Sequence, residues 1–212
     1  MKILAIGDLH GKIPPSLKHE ISKTDFDFII GLGDYSGIDD WRPYVNYYLK
    51  LKKGEKRKSA VKFFGQKKFN RLVKKDFEAG KKVLKFLDGL GKPGFFIFGN
   101  GDDGWYRYPF SRKILQVKKS GLNFLTKLKN LREMTYQIKI HKGISFLGFG
   151  GYMDATANDK SRDKEWQNVV NKRTAKAGKK MSSLIKKIAK SVFILHYPPK
   201  GIFDKILIIL LS

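Results

Sequence analysis

Met1-Lys2-Ile3-Leu4-Ala5-Ile6-Gly7-Asp8-Leu9-His10-Gly11 opens the chain, and its reading decides the fold. Ile3 to Ile6 form a short continuous apolar run, the pattern of a strand buried on both faces, and Gly7 lets the backbone turn sharply where the run ends. A carboxylate and an imidazole are thereby delivered to the carboxyl end of a core strand. Side chains at i and i+2 can converge on one ligand, and mixed oxygen and nitrogen donors suit a divalent ion such as Mn, Zn or Fe. Taken alone, an Asp-x-His also fits a strand that merely runs into a polar turn.

The same device recurs down the chain. Phe28-Ile29-Ile30 runs into Gly31-Leu32-Gly33-Asp34, Phe95-Phe96-Ile97-Phe98 into Gly99-Asn100-Gly101-Asp102, and Val192-Phe193-Ile194-Leu195 into His196-Tyr197-Pro198-Pro199. In open α/β sheets ligands collect beside the carboxyl ends of the strands, so Asp8, His10, Asp34, Asn100 and His196 are expected to meet at one rim. Each has a bland alternative: Asp8 and Asp34 as caps of helices or turns, Asn100 in a left-handed turn, His196 as a buried histidine satisfied by the backbone.

With these residues in order, the chain resembles the calcineurin-like metallophosphoesterase superfamily, whose blocks read Asp-x-His, Gly-Asp, Gly-Asn-His-Asp or Glu, a lone His, and Gly-His-x-His. Four of the five blocks are recognisable between about residues 3 and 204. The resemblance implies an α/β fold, a four-layer α-β-β-α sandwich of mixed sheets, C-terminally truncated here. It implies two divalent metal ions (Mn, Fe, Zn or Ni), with Asp8 and His10 on the first, Asp34 bridging, and Asn100 and His196 on the second. A pair of ions about 3.5–4 Å apart can hold a phosphate and lower the pKa of a bound water, so the implied nucleophile is a metal-bound hydroxide. Asn100 and Asp102 complete the implied catalytic set.

Two departures shape the functional reading. Gly101 stands where the family commonly has a histidine able to contact the leaving group or the phosphate, which tilts the expectation toward phosphodiesters over monoesters. Asp102 is left as a hydrogen-bond acceptor without that histidine partner. After His196 the chain resembles archaeal-type members, yet it stops at Ser212 before any Gly-His-x-His, so two further expected ligands have no equivalent. The closing Lys205-Ile206-Leu207-Ile208-Ile209-Leu210-Leu211 reads as an added strand or an aggregation-prone end.

Composition bounds the alternatives. The 212 residues contain no cysteine, which excludes disulfides, iron-sulfur clusters and thiolate zinc sites. They suit a single domain over 1–212, and no stretch is apolar enough to span a bilayer; the chain is read as soluble and cytoplasmic. Lys and Arg total 44 against 19 Asp and Glu, a formal charge of +25, which attracts polyanions and speeds encounter with phosphorylated substrates. Nucleic acid is therefore a possible partner. Two functions stand side by side: a dinuclear metal-dependent phosphoesterase, and a catalytically impaired basic protein binding RNA or DNA on the same fold.

Between the blocks the texture is mixed. Ser16 to Lys23 reads as a short helix. Gly31-x-Gly33-x-x-x-Gly37 has the wrong spacing for a dinucleotide fingerprint, and a Rossmann reading is rejected. From about 41 to 90 the chain is lysine-rich and helical, with Phe69, Leu72, Val73, Phe77, Leu84 and Leu87 on one face and a break expected at Gly80. Trp105 to Phe110 form an aromatic loop that either lines the substrate opening or caps the core. Leu122, Leu125 and Leu128 suggest a short helix. Tyr136, Ile138 and Ile140 alternate with Gln137, Lys139 and His141 ahead of Ile144 to Gly148, which predicts a β-hairpin with His141 on its solvated face. Asp154, Asp159 and Asp163 lie in a polar loop whose spacing fits no EF-hand, and residues from Trp166 to Ile188 have helical texture.

Overall fold

The computed structural model describes residues 1–37, 39–52, 55–56, 58–99, 101–102, 123–150, 175–176, 178–186 and 191–197. The expectations placed on Asn100, on the aromatic loop Trp105 to Phe110, on Asp154, Asp159 and Asp163, on most of Trp166 to Ile188 and on Pro198 to Ser212 lie outside these residues.

Four strands build the first sheet: β1 (Ile3–Ile6), β2 (Phe28–Gly31), β3 (Gly94–Phe96) and β4 (Leu131–Glu133), adjacent in that order and parallel throughout. A second sheet is mixed: β5 (Ile138–His141) pairs antiparallel with β6 (Ile144–Phe149), and β6 pairs parallel with β7 (Ser191–Leu195). Because side chains alternate across a strand, each central strand feeds two cores. Ile29, Phe96 and Phe98 point to the helical side of the first sheet, where Phe77, Leu84 and Leu87 meet them. Phe28, Ile30, Phe95 and Ile97 point the other way and pack on Phe146 and Ile194 of the second sheet. This two-sided burial is why β2 and β3 read as continuous apolar runs, and it produces the expected sandwich.

Helix α1 (Pro15–Lys23) starts on a proline, whose missing N–H is no loss at the first turn. A 3₁₀ turn (Asp39–Trp41) leads into α2 (Arg42–Leu49). Helix α3 (Ala60–Phe64) is capped by Ser59, whose hydroxyl accepts the Lys62 N–H at 3.2 Å. Gly65, at φ 76°, ends α3 and starts α4 (Gln66–Gly89). The whole predicted apolar face of α4 is buried. The break expected at Gly80 does not occur: α4 runs through it. A mid-helix glycine costs about 1 kcal/mol relative to alanine, whereas each of the seven buried apolar side chains contributes roughly 1.5–3 kcal/mol.

A short helix, α5 (Asn123–Thr126), precedes β4. Helical residues 178–185 lie beside the second sheet, with the Lys180 ammonium 5.1 Å from the centre of the Tyr136 ring. Among the described residues no helix is long and apolar enough to cross a membrane.

The hairpin is present, but its faces are exchanged. Ile140 is 69% exposed, while the His141 ring stacks at 4.4 Å on Phe28. Lys139 pairs with Phe146, which is fully buried between the sheets, so the polar set of this strand faces inward. Alternation alone gave the period correctly and the direction incorrectly, because the face is decided by the contacts of His141 with Phe28 and Phe95 of the first sheet, which the period does not encode.

Candidate metal centre

Pairing between β1 and β2 continues past both strands. The Asp8, His10 and Gly11 N–H groups donate to the Gly33, Asp34 and Tyr35 carbonyls at 3.0, 2.9 and 2.7 Å, zipping the two loops together. Within them Asp8, His10 and Asp34 all adopt positive φ, at 53°, 44° and 54°. Non-glycine residues rarely occupy this region, though Asp and His tolerate it better than most. The strain turns consecutive side chains back toward one rim, where β7 contributes His196, its N–H donating to the Phe149 carbonyl at 3.4 Å.

Asp8, Asp34 and His196 present ligand atoms that all lie within 4.8 Å of one another. Asp34 is buried, His196 half-buried and Asp8 exposed, so the group opens to solvent on the Asp8 side. His10 stands beside this trio; its charge acts on Asp34 without its ring joining the three. Three of the four expected ligands that fall in described residues thus converge, with the fourth adjacent.

The donor set fits a cation. The Nδ1 atom of His196 lies 2.9 Å from the Leu32 carbonyl oxygen, which can only accept. Nδ1 is therefore the donor to that carbonyl, and Nε2 is left facing Asp34 Oδ1, 3.5 Å away. A histidine anchored to a backbone carbonyl through its other nitrogen is the usual arrangement for a metal ligand. Burial pushes the Asp34 carboxyl up from its ordinary range, and the nearby Asp8 charge adds to this. His196, the Gly101 N–H and His10 pull the other way.

Asp102, expected among the catalytic residues, is fully buried and touches no open part of the site. Its Oδ2 accepts the Asp34 and Gly99 N–H groups at 2.8 and 2.9 Å, and its Oδ1 those of Tyr35 and Ser36 at 2.9 and 3.1 Å. All four of these donors are backbone groups, from residues 34 to 36 and from Gly99. Burial and the Asp34 charge push its carboxyl up to about 7, against the pull of these donors.

Several contributors had only faint signals in the sequence. Ser36 donates its hydroxyl to the Gly101 carbonyl at 2.7 Å, and the Tyr35 hydroxyl accepts the Gly33 N–H at 3.2 Å. The glycines flanking the blocks form a cradle. A Cβ on Gly33 (φ 103°) would lie 2.5 Å from Gly99 N and 3.0 Å from His196 Nδ1, and one on Gly99 would meet Asp34 N and His196 Cε1 at 2.7 Å. The paired glycines around Asp34 and after Phe98 were the available clue: backbone must pass close to the ligand side chains here.

The sequence model of the calcineurin-like phosphoesterase family matches residues 1–202. No curated protein matches the chain in sequence. One solved crystal structure superposes with a TM-score of 0.57, covering 94% of this chain and 70% of that one at 17% sequence identity, which shows likeness of fold alone.

Proposed function

The chain belongs to the calcineurin-like phosphoesterase family, and from that premise we propose that it hydrolyses phosphate esters, phosphodiesters in preference to monoesters, at the rim where Asp8, Asp34 and His196 meet. The convergence of these three side chains from three strands and both sheets carries the reading.

Asp8, His10, Asp34, Asn100 and His196 would hold two divalent ions. When bound, the ions supply the Lewis acidity that activates a water and draws charge from the phosphoryl oxygens. Asp34 supplies a carboxylate whose burial makes it a strong partner for a cation, while the Gly101 N–H, 2.7 Å from Oδ1, fixes its orientation. His196 is held by the Leu32 carbonyl, and Asp102 holds the loops bearing Asp34 and Gly101. Asp8, at the solvent side, faces the approach of the substrate.

The preference for diesters follows from Gly101. Monoester transfer proceeds through a loose transition state with heavy charge on the leaving oxygen, so it gains most from a proton donor beside that oxygen. Position 101 offers no side chain, and a Cβ there would already lie 3.1 Å from Asp34 Cγ.

The test compares an activated aryl phosphodiester with its monoester in the presence of Mn, Zn, Fe or Ni. A higher kcat/KM for the diester, abolished by a chelator, is the expected result. A monoester preference would overturn the substrate assignment, and turnover indifferent to chelation would overturn the metal mechanism.

A further inference from the structure

Beside the metal centre, the loops that carry His10 and Asp34 run on to a groove of about 490 Å³ between the Asp39–Trp41 turn and the exposed side of α4. Leu72 forms part of its floor, and Asp39, Asp40, Lys68, Arg71 and Lys75 stand around it. Lys68, Arg71 and Lys75 occur at i, i+3 and i+7 of α4 and so form one stripe along the helix. Their charge exceeds that of the carboxylates. Asp39 is already engaged by Lys12 and by Arg42, the latter at 3.2 Å, and Asp40 by Lys75 at 2.5 Å. Three cations and two carboxylates thus line the groove, and Lys12 and Arg42 offset Asp39 from outside it.

These ion pairs are all solvent-exposed, so each is weak and yields readily to a better anion. Arg71 is exposed and offers a planar fork suited to a phosphate. The chain limits how far the groove can lie from the metal centre. Lys12 is two residues from His10, and Asp39 is five residues from Asp34, a distance the chain can span only up to about 18 Å. Its volume is in the range that holds one nucleotide-sized group.

We propose that this groove seats a backbone phosphate of a single-stranded nucleic acid, one whose scissile diester lies at the Asp8, Asp34 and His196 rim. The inference rests on the phosphodiesterase reading for the chemistry at that rim, but not for the binding. Lys68 and Arg71 supply the charge for the remote phosphate, and Lys75 exchanges Asp40 for it. The substrate class is then an oligonucleotide several residues long, because a free nucleotide cannot reach both places.

The experiment measures binding of the full chain to a fluorescein-labelled single-stranded oligonucleotide of about twelve residues, by anisotropy in chelator, between 50 and 200 mM salt. The double variant Lys68→Ala/Arg71→Ala is compared with Lys127→Ala/Lys129→Ala, which removes equal charge beside the amino-terminal end of β4, outside the groove lining. Circular dichroism melts establish that both fold. The groove variant is expected to bind at least about tenfold more weakly at 50 mM salt, with a log-log salt slope smaller by about 0.7, the value for one phosphate contact on a single strand. The control should bind within twofold of the native protein. Equal losses in both variants would show diffuse attraction and overturn the proposal, as would no loss in either. Dependence on the groove for anionic phosphatidylserine vesicles but not for the oligonucleotide would overturn it in favour of a membrane surface. Failure of the native protein with Mn to cleave a small activated diester would count against the phosphodiesterase reading alone, since the binding is measured without metal.

Discussion

Asp34 and Asp102 brace each other through the backbone: the Asp102 carboxylate accepts the Asp34 N–H at 2.8 Å, while the Asp34 carboxylate accepts the N–H of Gly101, next to Asp102, at 2.7 Å. Each acid thereby fixes the loop of the other, tying the β2 and β3 loops together. The arrangement needs a group that only accepts, because four N–H donors converge on Asp102. Asp102→Asn replaces one acceptor oxygen with an NH₂ that faces donors. It should lower stability by about 2–4 kcal/mol in chemical denaturation, since buried donors are left unpaired. An unchanged midpoint would show that the brace carries no energy.

Asp76 behaves differently, because it is half-buried with little compensation. Burial pushes its carboxyl up to about 7, despite the Trp41 indole N–H donating to it at 2.7 Å; Asp40 and Asp102 add to the rise and Lys75 opposes it. With the folded value above the unfolded one near 3.8, the unfolded state ionises first. Stability contributed by Asp76 is therefore full below about pH 4 and is lost as pH rises toward 7. Asp76→Asn keeps an oxygen for the indole and removes the ionisation. It should stabilise the protein by roughly 1–3 kcal/mol at pH 8 and by much less at pH 4.5, followed by tryptophan fluorescence in urea. An equal effect at both pH values would rule out this origin.

Asp88 has the opposite sign. Partial burial raises its carboxyl, but the N–H groups of Asn130, Lys129 and Leu131, at 2.8, 3.0 and 3.0 Å, outweigh that and hold it below the ordinary range. They tie the end of α4 to the start of β4. This contribution is present above the unfolded pKa and disappears as pH falls through the lower folded one. Asp88→Ala should cost about 1–3 kcal/mol at pH 7, and the difference from the native protein should shrink below about pH 4. A pH-independent difference would point to packing instead.

How much of this was legible follows from what the residues do locally. β2 and β3 were readable because burial on both faces forces continuous apolar runs, and their glycine endings marked the rim; β1 and β7 carry similar runs, but β1 is not buried on both faces as its sequence suggested, since only Ile6 of β1 and Ile194 of β7 are buried. β4 was not, since Leu131-Arg132-Glu133 has neither a run nor an alternation, and its place is set by Asp88, 43 positions earlier. The ligand positions were legible as residue types, but the left-handed backbone at Asp8, His10 and Asp34 was not. Asp102 was recognisable as an acceptor, whereas its donors, being backbone, leave no trace in the sequence. His141 failed because its stacking on Phe28 is a contact between sheets that period alone cannot assign.

The metal centre makes a prediction whose sign changes with conditions. Without metal, burial and the neighbouring Asp8 charge disfavour an ionised Asp34, so the carboxylate is a local cost to the fold. Asp34→Asn removes that charge and retains an oxygen for the Gly101 N–H. In chelator the variant should therefore unfold at or above the native midpoint. Added Mn should reverse the order: a ligand that binds only the folded state stabilises it by about 2.7 kcal/mol at a hundred times its Kd, and this gain needs the Asp34 charge. His196→Ala should lose the same metal-dependent gain. Thermal melts with chelator and with a Mn titration test this for all three proteins. Equal stabilisation of native and Asp34→Asn protein by Mn would mean that the ion binds elsewhere, and the assignment of Asp8, Asp34 and His196 would fall with it.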